Sequence, residues 1–66
     1  MSIVKVIEII AEGDSVENAV SAAVDEASKT VRNIKTVYVK DIQAIVQDNK
    51  VAKYRIDAKV SFLVGK

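Results

Sequence analysis

Two groups of side chains in this sequence have a type and spacing that permit chemistry. Glu8, Glu12 and Asp14 cluster around the passage from a first apolar segment into a helical one. With backbone carbonyls, such carboxylates can hold a hard, oxygen-seeking cation such as Ca²⁺. Their spacing is not that of an EF-hand, and capping and turn formation use the same residue types. The second group is Thr36, Tyr38, Ile42, Arg55 and Lys59, which fall on one face of a long hairpin when its arms are paired. Arg55 sits mid-strand among apolar and aromatic neighbours, where a guanidinium can stack on a ring or grip an anion bidentately. A cross-strand salt bridge, to Asp41 or Asp57, is its plainer use.

Beyond these groups the inventory is bare. Histidine and cysteine are both absent, which excludes an imidazole acid–base, a histidine-based triad and a thiolate zinc site. Ser15, Ser21, Ser28 and Ser61 therefore have no base beside them. Asp25 and Glu26 fall on the polar face of a helix, where they serve solubility. The residues favour a binding protein over an enzyme. Ten basic and nine acidic residues leave a net charge of +1, too balanced for a protein that tracks a phosphate backbone. Apolar runs such as Ile9-Ile10-Ala11 are no longer than three residues, so no segment reads as a membrane span. No basic stretch precedes an apolar one at the N-terminus, and the expected location is the cytoplasm.

The elements that must position these residues are few. At 66 residues the chain reads as one domain, 1–66, of a size that buries only about 60% of its unfolded surface. Without disulfides, oligomerisation is the main route to a larger core. Twelve Val and eight Ile stand beside one Leu and one Phe, a bias toward strands. Ile3 to Ala11 reads as a strand that is apolar on both sides, ended by Glu12-Gly13; both of its sides should be covered. A helix follows, capped by Asp14 or Ser15, with Glu17 at the capping-box position if Asp14 is the cap. Val16, Ala19, Val20, Ala23, Val24, Ala27 and Val31 recur on one face. Lys29 and Arg32 come in its last turns, and Asn33 is a candidate left-handed residue at its end.

Thr36 to Val46 and the strictly alternating run from Ala52 to Val64 form the hairpin, with Asp48-Asn49 as its turn. Gly65-Lys66 is a short tail. A regular turn pairs residues whose numbers sum to 97: Thr36 with Ser61, Val37 with Val60, Tyr38 with Lys59, Val39 with Ala58, Lys40 with Asp57 and Ile42 with Arg55. Asp41 then opposes Ile56, a poor match that a bulge near Asp41 would relieve. The expected class is α+β, a β-α-β-β chain whose three-stranded antiparallel sheet partly wraps one helix.

The sequence resembles the dodecins almost end to end. Val4-Lys5-Val6-Ile7-Glu8-Ile9-Ile10 is similar to the family's first strand, and Ser15-Val16-Glu17-Asn18-Ala19-Val20 to the opening of its helix. Ala27-Ser28-Lys29-Thr30-Val31-Arg32-Asn33-Ile34 resembles the helix end, and Tyr54-Arg55-Ile56-Asp57-Ala58-Lys59-Val60-Ser61-Phe62 the last strand. The resemblance implies a hollow homododecamer of cubic 23 symmetry that binds FMN or riboflavin for storage and is not an enzyme. Flavin-binding members carry a tryptophan and a glutamine where Thr36 and Arg55 stand here. Threonine offers no π-face, and arginine cannot accept a hydrogen bond. The loop Ala11-Glu12-Gly13-Asp14 is also one residue shorter than is usual, and the arginine after the tyrosine resembles the calcium-dodecin subgroup. Assembly is therefore expected to carry over, with flavin binding weakened; the alternatives are a flavin store in which Tyr38 or Arg55 stacks in place of the tryptophan, and a purely structural oligomeric module without ligand.

Overall fold

The structure, a computed structural model, describes residues 2–65. Lys66 of the expected tail lies outside them. Strand β1 (Ile3–Gly13), helix α1 (Val16–Ser28), strand β2 (Ile34–Gln47) and strand β3 (Lys50–Val64) follow in that order. The strands form one antiparallel sheet in the order β1-β3-β2, so β3, with the cleanest alternation, is paired on both edges. Asp48 and Asn49 have φ of 52° and 62°, the two left-handed residues a tight type I′ hairpin turn requires.

The cap of α1 is Ser15, whose hydroxyl accepts from the Asn18 N–H at 3.0 Å. That excludes the Asp14–Glu17 capping box, because the cap sits one residue later. β1 does not stop at Glu12 but runs on through Gly13. A Cβ at Gly13 would lie 2.7 Å from the Ala19 nitrogen, so only glycine lets the strand end lie against the first turn of the helix. The helix ends at Ser28, where the Lys29 N–H turns back to the Glu26 carbonyl and the Thr30 and Val31 N–H groups to that of Ala27. Lys29 and Arg32 are thus outside it, and β-branched Thr30 and Val31 begin the connection to β2. Asn33 does adopt the left-handed conformation, φ 62°. It sits at the entry to β2, and its carbonyl accepts from the Leu63 N–H at 3.0 Å.

One face of the sheet is complete within the chain. Ala19, Ala23 and Ala27 of α1 are buried together with Ile56, Ala58 and Val60 of β3, and Ile9, Ala11, Val37 and Val39 pack around them. Alanine lets the helix lie close to the sheet but removes little apolar area from water. Much apolar surface stays uncovered: Ile3, Val4, Val6, Ile10, Ile42, Val46 and Val51 are each more than half exposed. The accessible surface of 4868 Å² exceeds the roughly 4,100 Å² of a compact monomer of this mass. The radius of gyration is 13.6 Å, against about 11 Å for a compact chain of this length. The molecule measures 51 × 19 × 13 Å.

The hairpin holds the sum-97 register from Thr36 to Val39 and then shifts by one at a bulge between Val39 and Asp41. The bulge falls where the Asp41–Ile56 mismatch placed it. Beyond it Asp41 opposes Asp57, Ile42 opposes Ile56 and Gln43 opposes Arg55. The expected Lys40–Asp57 and Ile42–Arg55 pairs do not form, because an extra residue in one strand moves each later side chain to the other face.

Candidate functional site

By alternation, the sheet face turned away from α1 carries Glu8, Ile10 and Glu12 from β1 and Arg55, Asp57, Lys59 and Ser61 from β3. β2 adds Thr36, Tyr38, Asp41 and Gln43. A groove of about 460 Å³ opens here, lined by Ile10, Asp41, Ile42, Gln43, Arg55, Ile56 and Asp57. Two adjacent rows of side chains cross its floor.

The first row is Glu12–Arg55–Gln43, in register across all three strands. Glu12 Oε2 accepts from both Nε and Nη2 of Arg55 at 2.7 Å, and Oε1 takes the Lys53 ammonium at 2.7 Å. Hydrogen bonds from Lys53 and then Arg55 hold the Glu12 carboxyl below its ordinary range. Arg55 is thus in a salt bridge, but to Glu12 rather than to Asp41 or Asp57. The bulge had turned Asp41 and Gln43 onto this face, and Glu12 is the residue directly opposite on β1.

The second row sets Ile10, Asp57 and Asp41 side by side, two carboxylates directly opposed across the β2–β3 pair. The Glu8 carboxyl is pushed up, first by a hydrogen bond to Asp57 and then by its charge, against the pull of Lys40 and Lys59. Lys40 approaches Glu8 at 4.0 Å. Among the described residues, Asp57 Oδ1 is buried without a hydrogen-bond partner. Ionised, Glu8 has no proton to offer Asp57; protonated, it becomes a donor.

Sequence spacing does not translate into a single cluster here. Glu8 and Glu12 lie on one continuous strand, about 13 Å apart, because the turn expected to gather them with Asp14 comes only after Gly13. Among the described residues, no three His, Cys, Asp or Glu side chains converge as a metal site. Thr36 opposes Ser61 and Tyr38 opposes Lys59, and the Thr36 and Ser61 hydroxyls hydrogen-bond to each other. Tyr38 is 64% exposed. Ser61, opposite Thr36, lies six positions along β3 from Arg55, roughly 20 Å, so the Thr36 and Arg55 of one chain are too far apart for one small ligand to touch both. Ile42 leaves this face at the bulge and Gln43 replaces it. Gln43, Asp57 and Ile10 escaped the sequence reading as site residues; the mismatch at Asp41 was the signal that could have found Gln43.

The dodecin family model matches residues 3–65. The chain belongs to the dodecin family. Among solved structures, the tt0972 protein from Thermus thermophilus is 25% identical with a TM-score of 0.91, over 100% of this chain and 98% of that one. The dodecin from Streptomyces coelicolor is 27% identical at a TM-score of 0.89, over 98% and 94%. The dodecin from Streptomyces davaonensis, at 21% identity and a TM-score of 0.88 over 98% and 97%, shares the fold. No curated protein matches the chain in sequence. Among the described residues no helix is long and apolar enough to cross a membrane.

Proposed function

We propose that this dodecin assembles as a hollow homododecamer that binds and stores a small molecule, with ordinary flavin binding weakened, and that it catalyses no reaction. The observation that carries the assembly is the apolar surface left over by a 51 Å chain with six buried apolar residues among those described. A second copy laid on Val4, Val6 and Ile10 removes that surface from water. The separation of Thr36 from Arg55 along β3 supports the same reading, since a site that uses both is completed by a neighbour.

The weakening rests on what the two positions hold. The Thr36 hydroxyl is tied to Ser61 and gives a ring nothing to stack on. Arg55 is committed to Glu12. The absorption spectrum of the eluting oligomer tests this directly: protein that copurifies yellow, or that quenches riboflavin fluorescence at micromolar concentration, contradicts it. Thr36→Trp should tighten riboflavin binding roughly five- to 150-fold, the equivalent of about 1–3 kcal/mol for one stacked ring. A second reading is favoured by the exposure of Tyr38 on the same face: the flavin is retained and stacks on that ring. Tyr38→Ala then abolishes binding, whereas under the first reading it changes little.

A further inference from the structure

Glu8 stands in the middle of the apolar surface that this chain leaves uncovered. By alternation it shares a sheet face with Val4, Val6 and Ile10, each more than half exposed. Whatever lies on Val6 and Ile10 therefore lies on Glu8 as well. The charged and titratable groups around it come from all three strands. β3 brings Lys59, directly opposite Glu8, and Asp57, two residues along on the same face. β2 brings Lys40, whose ammonium reaches over the central strand to 4.0 Å from Glu8. It also brings Asp41, opposite Asp57, and Tyr38, opposite Lys59. On β1 the next acid, Glu12, is already held by Lys53 and Arg55. Helix α1 packs against the other face of the sheet.

Three carboxylates, Glu8, Asp41 and Asp57, thus face two ammoniums, Lys40 and Lys59. Fully ionised, the group holds one negative charge without a partner, and one bound proton makes it neutral. In water the unpartnered charge is tolerated. Under a neighbouring chain it is not, because taking an unpaired charge out of water is unfavourable and repulsion grows as the dielectric falls. The proton has a place to go. Asp57 lies within hydrogen-bond reach of the Glu8 carboxyl and already raises its proton affinity. Asp57 Oδ1 is a buried acceptor without a donor among the described residues.

We propose that one proton per chain, shared by Glu8 and Asp57, is taken up when a second copy covers this face, so that the shell tightens in mild acid and loosens as pH rises. The inference rests on the assembly reading above and adds its control. The sign follows from linkage. The assembled form binds the proton more tightly than the free chain, so its contribution is fully present at acid pH and is lost as pH rises through the assembled form's raised value.

Dilution of the full-length protein, with particle mass measured from mildly acid to mildly alkaline pH at fixed ionic strength, reads the effect. The chain concentration at half assembly should rise by up to about tenfold per unit of pH, the limiting slope for one proton per chain. Where the particle survives the lowest dilution, subunit exchange between isotope-labelled and unlabelled particles, followed by native mass spectrometry, should quicken as pH rises. Glu8→Gln and Asp57→Asn should each flatten the dependence, and Asp25→Asn, on the exposed face of α1, should leave it in place. A particle whose dissociation and exchange ignore pH, or a dependence that survives in both Glu8→Gln and Asp57→Asn, overturns the proton link and leaves the shell standing. Single-chain mass at every pH takes down the assembly reading, and this inference with it.

Discussion

The two rows on the open face of the sheet have nearly the same ingredients and opposite electrostatics. At Glu12 one carboxylate lies between two cations, each bond is 2.7 Å, and the proton affinity of the acid is lowered. Four residues back along β1, Glu8 meets another carboxylate, its proton affinity is raised, and an oxygen of Asp57 is buried without a partner. Opposite charges across strands stabilise a sheet and like charges weaken it. The first row therefore secures the register of β1 on β3, while the second works against the fold. Natural sequences violate local consistency mainly at functional sites, and the groove takes its lining from both rows, Gln43 and Arg55 from the first and Ile10, Asp41 and Asp57 from the second.

The largest change in this contrast is expected from Asp57→Asn, which removes one charge from two unfavourable contacts at once. Stability at neutral pH should rise by a few tenths to about 1 kcal/mol, the scale of one cross-strand like-charge pair. Chemical denaturation at fixed protein concentration measures it, and a loss of stability would show that Asp57 is better satisfied than its surroundings indicate. Glu8→Gln should act next, through the pH profile. The folded form binds the Glu8 proton more tightly than the unfolded chain does, so its contribution is fully present at acid pH and is lost as pH rises through the elevated value. The wild type should gain stability from this group on mild acidification, and the variant should lose that gain.

Glu12→Gln should do the reverse. The stabilisation from a depressed carboxylate is present above its ordinary value and disappears as pH falls through the lowered one, so the variant should lose stability at neutral pH and resist further loss in acid. The smallest effect belongs to Lys53→Ala. That side chain is exposed and Arg55 still holds Glu12, so the shift should stay within a few tenths of a kcal/mol. A larger one would mean that Lys53, and not Arg55, anchors the row.

Most of the fold was legible in the sequence because it is written in local signals. Alternation along β3, two left-handed residues at Asp48 and Asn49, and a serine before an Ala/Val stripe each fix an element within a few residues. The register was legible from Thr36 to Val39 and again at Val46–Val51 and Gln47–Lys50, and was lost between the two shifts, since a bulge is one residue of backbone with no side-chain signature beyond the awkward Asp41–Ile56 pair. That single slip exchanged Ile42 for Gln43 on the open face. The Glu12–Arg55 bond spans 43 positions of sequence, and its formation depends on β1 running through Gly13. Reading Glu12-Gly13 as a strand end placed Glu12 with Asp14 instead, in a turn that begins only after Gly13.

The central claim is that this chain is finished only by copies of itself, and particle mass tests it most directly. Multi-angle light scattering on freshly eluted protein should give about 86 kDa, twelve times the 7.2 kDa chain, and the value should persist on dilution into the low micromolar range. A monodisperse species of about 7 kDa that still melts cooperatively would contradict it. In that case the exposed faces of β1 and of the hairpin would need no neighbour.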